Sequence, residues 1–145
     1  MKTKAIHAAR IVLGLVFFVF GLNGFLHFLP QPPMSGPPAD FLGALVASGY
    51  LFPLLKATEV AAGAFLLAGR FVPLALTLLA PVIVNIVAFH AALAPSGVGM
   101  AVVILALEIV LAWSYRSAFQ PMLRAKVAPD AATEKTNDPR PAVAS

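Results

Sequence analysis

The chain has 145 residues, of which 60% are hydrophobic and 11% charged, with 13 prolines, no cysteine, a formal net charge of +4 and a mean hydropathy of +0.90. So apolar a composition argues against a soluble domain with one buried face. Without cysteine the chain can neither run a membrane dithiol relay nor ligate an iron–sulfur cluster, which excludes the quinone-linked disulfide-forming enzymes. Its basic residues are scattered at segment ends rather than gathered into a patch, which argues against a nucleic-acid partner.

Residues 1–10 carry Lys2, Lys4, His7 and Arg10 and read as a polar N-terminus. The first apolar run, 11–29, is close to the ~20 residues a helix needs to cross a bilayer. Its end, Asn23 to Pro30, offers no small-x-small cleavage site, so the run is expected to remain as a span rather than leave as a signal peptide. Gly14 and Gly21 on this span are expected to admit close helix packing.

Residues 30–50 form a loop in which Gln31-Pro-Pro-Met-Ser-Gly-Pro-Pro38 is expected to be non-helical. Asp40 is the expected N-cap of a short interfacial helix, Phe41 to Ser48, with Phe41, Leu42, Leu45 and Val46 as its apolar stripe. Ser48-Gly49 should break it before the second span, 51–69. The third span, 71–93, contains Pro81, where a kink is expected, and the fourth covers 97–116. Trp113 and Tyr115 at one end, and Tyr50 at the other, suit interfacial belts. Residues 117–145 lack periodicity and read as a disordered tail. Lipid solvates no unpaired backbone groups and four spans are too few to close a barrel, so the expected fold is an all-α, up-and-down four-helix membrane bundle.

Lys and Arg precede the first span, follow the fourth, and occur as Arg70 between the second and third, whereas the other two loops have none. The positive-inside rule therefore puts both termini and the Arg70 turn in the cytoplasm and the Pro-rich loop outside. At ~1.5 Å per residue, Asn23, His27, Lys56, Glu59, Asn85 and His90 then share the outer half of the bundle, and Glu108 lies near the midplane. These seven are the candidate ligand-binding residues.

Asn23 and His27 are four apart and share a stripe. Lys56 and Glu59 are three apart, and Gly63 continues their face against another helix. Asn85 and His90 lie well around the third span from one another and need not share a partner. Ionisable groups in hydrocarbon cost at least ~2.5 kcal/mol each and are normally paired, so Lys56 is expected to pair with Glu59 or with Glu108. The structural alternatives are a register-setting ion pair, hydrogen-bonding asparagines that join helices, and interfacial histidines. Two histidines on different spans would allow a haem between helices, but nothing in the pattern turns both rings inward, and no metal-ligand spacing appears. With no catalytic motif, the most an enzymatic role could amount to is an oxidoreductase subunit.

Phe20-Gly-Leu-Asn-Gly-Phe-Leu-His-Phe-Leu29 in the first span, and Glu59-Val-Ala-Ala-Gly-Ala-Phe-Leu-Leu-Ala-Gly-Arg70 leading into Val72-Pro-Leu-Ala-Leu76, resemble the DoxX family of small bacterial four-helix membrane proteins. The resemblance covers the bundle from about Ala8 to Tyr115 and carries over Glu59 and Gly63 as the second-span signature. The family takes its name from a subunit of an archaeal thiosulfate–quinone oxidoreductase, and distant relatives act in membrane-protein assembly. Many members have a lysine soon after the first span's Gly-Leu-Asn turn, where this chain has Gly24 and offers Lys56 from another helix. The expectation is a multi-pass protein of the bacterial inner membrane, an accessory subunit of a redox or stress-response system with a site for a quinone or small solute. A small proton-linked transporter and a non-enzymatic scaffold are the other classes. The lipid bilayer, a membrane redox partner and a further copy of the chain are the compatible partners.

Overall fold

The computed structural model describes residues 3–129, and the expected disorder of the tail falls, from residue 130 onward, outside the described residues. The elements are α1 (Thr3–Leu26), α2 (Pro37–Ala47), α3 (Leu51–Ala68), α4 (Val72–Ala92), a 3-10 turn at Pro95–Gly97, α5 (Val98–Ser114), α6 (Arg116–Phe119) and a 3-10 turn at Gln120–Leu123. Four helices are long and apolar enough to cross a membrane, and only 22–28% of each is buried in the bundle. The remaining surface is apolar too, with Val12, Leu15, Phe20, Leu74, Val84, Val102 and Ile109 all exposed. A helix that is hydrophobic all round yet covered on one side only needs an apolar solvent, and the protein is a multi-pass membrane protein.

The long helices close a ring in which α1 packs on α3, α3 on α4, α4 on α5, and α5 back on α1. The first turns of α1, the Arg70 turn and α6 lie at one end of this ring, the terminal end, and α2 and the Pro95 turn at the other, the α2 end.

Several boundaries differ from those the sequence suggests. α1 starts at Thr3, inside the expected polar N-terminus, and stops at Leu26 instead of running to 29. His27 there takes a left-handed conformation (φ 51°), its N–H bonds to the Asn23 carbonyl at 3.0 Å, and the Asn23 Oδ1 accepts the Leu29 N–H at 2.7 Å. These bonds satisfy groups a helix end leaves open. α2 begins at Pro37, so Asp40 sits in its first turn and is not the N-cap; Gly36 is. Two prolines are tolerated there because first-turn N–H groups have no intrahelical acceptor to lose. Residues 117–123, expected to open a disordered tail, belong to α6 and the 3-10 turn that follows it, and Arg116, expected to end the fourth span, starts α6. α4 runs through Pro81 as one helix.

The closest seam joins α1 to α3. A Cβ on Gly63 would come within 2.5 Å of the Phe18 backbone nitrogen and 2.9 Å of the Gly14 carbonyl oxygen. One on Gly21 would meet the Val60 backbone nitrogen at 2.9 Å. Gly14 and Gly21 are seven residues apart, as are Lys56 and Gly63, the spacing of a left-handed antiparallel seam. Lipid supplies no hydrophobic drive between spans, so this backbone proximity and the dispersion it allows hold the pair together.

Arg10, which the sequence marks only as a topology charge, donates from its guanidinium to the Leu66 carbonyl and, at 3.3 Å, to that of Leu67. It thereby caps the last turn of α3, with Gly69 (φ 67°) leaving room beneath it. The fully buried Leu13, Leu66, Leu76, Leu79 and Leu111 fill the terminal half of the ring. Towards the α2 end Phe17, Ile83 and Ile104 continue this core, and the ring opens into a cavity.

Gly63→Ala is expected to destabilise the bundle by ~1–3 kcal/mol, the usual cost of overpacking, because the new methyl meets backbone that cannot rotate away. Gly43→Ala, where no heavy atom lies within 4 Å, should cause no loss. Thermal unfolding in mild detergent checks this, and equal midpoints for Gly63→Ala and wild type would contradict the seam.

Candidate functional site

The cavity at the α2 end holds about 360 Å³ and takes side chains from all five helices around it. Its walls are apolar except for Lys56 and Glu59 on α3 and Asn85 and His90 on α4. Phe41, Leu42 and Leu45 of α2 line it as well, so the interfacial helix forms part of the wall rather than lying apart from the bundle. Phe41 stacks on Phe89 of α4 with ring centroids 5.5 Å apart.

The ion pair at this site depends on glycines of the neighbouring helix. Lys56 Nζ and Glu59 Oε2 are 2.8 Å apart, with side chains 18% and 5% exposed. Their i,i+3 spacing puts both on the face of α3 that meets α1. There a Cβ on Gly24 would lie 2.5 Å from Cγ and Cδ of Lys56, and one on Gly21 would lie 3.1 Å from Cβ of Glu59. The lysine stem therefore lies across Gly24, and its ammonium comes within 5.6 Å of the Phe52 ring centre. Of the two carboxylates the sequence offered as partners for Lys56, Glu59 is the one it meets.

His90 is fixed at the end of α4. Its Nδ1 is 3.1 Å from the Ala94 carbonyl oxygen, and its ring stands edge-on to Phe89 at 5.2 Å. A carbonyl only accepts, so Nδ1 carries a proton and Nε2 is the nitrogen left free of this contact. The imidazole occupies the space a Cβ on Gly97 would need. Asn85 and His90 line the same cavity although they lie on different stripes of α4, because the space is broad enough to take in Phe89 between them. Asn85 is exposed to this space and makes no side-chain hydrogen bond among the described residues. The cavity thus offers a cationic donor, a carboxylate, an amide that donates and accepts, and an imidazole.

The other three candidates lie elsewhere. Asn23 is 3% exposed and its oxygen is used by the Leu29 N–H, so it serves the end of α1. His27 is exposed in the left-handed turn after it. Glu108, 6% exposed, lines a second and separate groove between α4, α5 and α6. The layer expected to unite six polar residues divides into a four-residue site and a helix terminus. Gly24 and Phe41, which shape the site, carry no polar signal that would have marked them. The hint at Gly24 was the family resemblance, in which many members carry a lysine at this position and this chain offers Lys56 from another helix.

Comparison with models of known protein families, with curated proteins and with solved structures finds no match.

Removing one member of the ion pair leaves a desolvated charge. Lys56→Met alone is expected to destabilise the bundle by ~3–5 kcal/mol, and Lys56→Met with Glu59→Leu by much less. A double-mutant cycle of unfolding free energies in detergent measures this. Additive losses would mean that the two side chains do not interact.

Proposed function

We propose that this chain is a DoxX-like membrane subunit whose α2-end cavity binds the headgroup of a quinone and serves a redox or stress-response partner. The observation that carries this reading is the single ion pair, Lys56–Glu59, set in an otherwise apolar cavity of about 360 Å³ with Asn85 and His90 on a second helix. Ligand cavities characteristically combine apolar walls with a few placed polar groups in this size range. The spare capacity of the four side chains is what distinguishes the site from a purely structural ion pair.

The donor set is of the kind that a ring with two carbonyl oxygens calls for. Lys56 Nζ has donors beyond the one given to Glu59, and the Asn85 amide is unengaged, so each can donate to a ring oxygen from its own helix. With Nδ1–H given to the Ala94 carbonyl, Nε2 of His90 is the ring nitrogen left to face a ligand hydroxyl. The apolar walls exclude water and suit a hydrocarbon tail. A bound quinone would supply two-electron, two-proton redox chemistry, with electrons arriving from the partner. The pattern Phe20 to Leu29 and Glu59 to Arg70 supports the family reading. So does the stem of Lys56, which lies across Gly24, where many family members carry a lysine of their own.

The distribution of Lys and Arg supports a topology with both termini in the cytoplasm and the cavity in the outer half of a bacterial inner membrane.

Quinone extracted from protein purified in mild detergent is expected at near-stoichiometric amounts for wild type. Lys56→Met with Glu59→Leu, which leaves no unpaired charge, should hold it about ten- to a hundredfold more weakly, the worth of one charge-assisted hydrogen bond. Asn85→Ala should weaken it less. Chromatographic assay of the extract, and titration with a short-chain ubiquinone, measure both. Absence of quinone from wild type with no binding in the titration would overturn the reading.

A further inference from the structure

The groove that contains Glu108 lies at the other end of the bundle and plays no part in the site above. It measures about 280 Å³ and is lined by Leu76, Thr77 and Ala80 of α4, Glu108 and Ala112 of α5, and Phe119 and Met122 beyond α5. Glu108 is 6% exposed, and its Oε2 is buried without a hydrogen-bond partner. Thr77 donates its hydroxyl proton to the Pro73 carbonyl at 2.9 Å, so towards the groove its oxygen can only accept. The main-chain carbonyl of Thr77 also lacks its usual helical donor, because the residue four positions on is Pro81.

With Glu108 ionised, every polar atom that the lining side chains offer is therefore an acceptor, and no other titratable side chain lines the groove. On α3 the charges are Lys56 and Glu59, which pair with each other in the other cavity. On α1 they are Lys4, His7 and Arg10, and the guanidinium of Arg10 is engaged with α3. α4 offers only His90, which is bonded to Ala94 at the α2 end. Arg116, after α5, donates to the Trp113 carbonyl and lies against that exposed ring.

We propose that this groove is a binding site for a hydrophobic organic cation, which Glu108 holds in exchange for a proton. The ionised carboxylate and the acceptors around it favour a cation and repel an anion, and the apolar lining favours a greasy cation over a hydrated metal ion. A carboxylate left unpaired in hydrocarbon is costly, so without the cation the group is balanced by a proton. The exchange conserves charge: the carboxylic acid loses one proton to solvent, the carboxylate forms an ion pair with the cation, and no other bond changes. Phe119 and Met122 supply a polarisable floor for such a ligand.

The full-length protein in mild detergent can be titrated calorimetrically with tetraphenylphosphonium, with the smaller benzyltrimethylammonium, and with tetraphenylborate as an anion of matching shape. Saturable binding of a cation but not of the borate is expected. About one proton should be released per cation, measured in buffers of different ionisation enthalpy. Glu108→Gln should abolish binding and Thr77→Val should weaken it severalfold, whereas Asn85→Ala, in the other cavity, should leave it intact. In the unmutated protein, dicyclohexylcarbodiimide should modify Glu108, seen by peptide mass spectrometry, and a saturating cation should protect it. Failure of both cations to bind, equal binding of the borate, retention in Glu108→Gln, or modification without protection would each overturn the proposal.

Discussion

A charge buried among apolar helices has to be paired, and the pair has to be given room. That constraint organises the Lys56–Glu59 face of α3, because a lysine and a glutamate one turn apart occupy more space than two helices in ordinary contact leave between them. Glycines on α1 provide it: Gly24 lies under the lysine stem and Gly21 beside the glutamate, while Gly14 and Gly63 bring the two backbones together one turn after another towards the terminal end. The tightest packing in the bundle and its most polar group are thus features of one interface. Loss of a glycine would disturb the ion pair, and loss of the ion pair would leave that face of α3 with an unmatched charge against α1.

The core divides the bundle functionally. Large aliphatic side chains, with Leu66, Leu76, Leu79 and Leu111 at most 1% exposed, close the terminal half around the Arg10 cap. At the other half the large core side chains thin out, and α2 comes across to cover part of the opening through the Phe41–Phe89 contact. A rigid end and an open end suit a protein that must hold its helices in register while leaving space for a ligand. The groove at Glu108 differs from the open cavity in its chemistry: the cavity offers donors and acceptors together, the groove, with Glu108 ionised, acceptors alone. Under the two proposals, these environments would separate a neutral, hydrogen-bonding ligand from a cationic one.

Much of this was legible from the chain. Periodic apolar runs of membrane-spanning length identify the four long helices, because lipid forces backbone groups to pair within each segment. The i,i+3 relation of Lys56 and Glu59, and the cost of a lone charge in hydrocarbon, narrow the partner of Lys56 to Glu59 or Glu108. Gly14, Gly21 and Gly63 could be recognised as packing residues because small side chains are what close helix contact requires.

Other features depend on how the helices meet. Nothing local distinguishes Asn23, which closes the end of α1, from Asn85, which faces the cavity. Both are single amides near the same end of a span, and only the fold decides which oxygen finds a backbone N–H. The exclusion of Glu108, which falls in a separate groove, the shared space of Asn85 and His90, and the capping of α3 by Arg10 are likewise set by how the helices assemble. Sequence alone determines the helices and the faces they present, since hydrophobicity and periodicity act locally. Tertiary structure decides which faces meet, since a cavity is the space that several helices jointly leave unfilled.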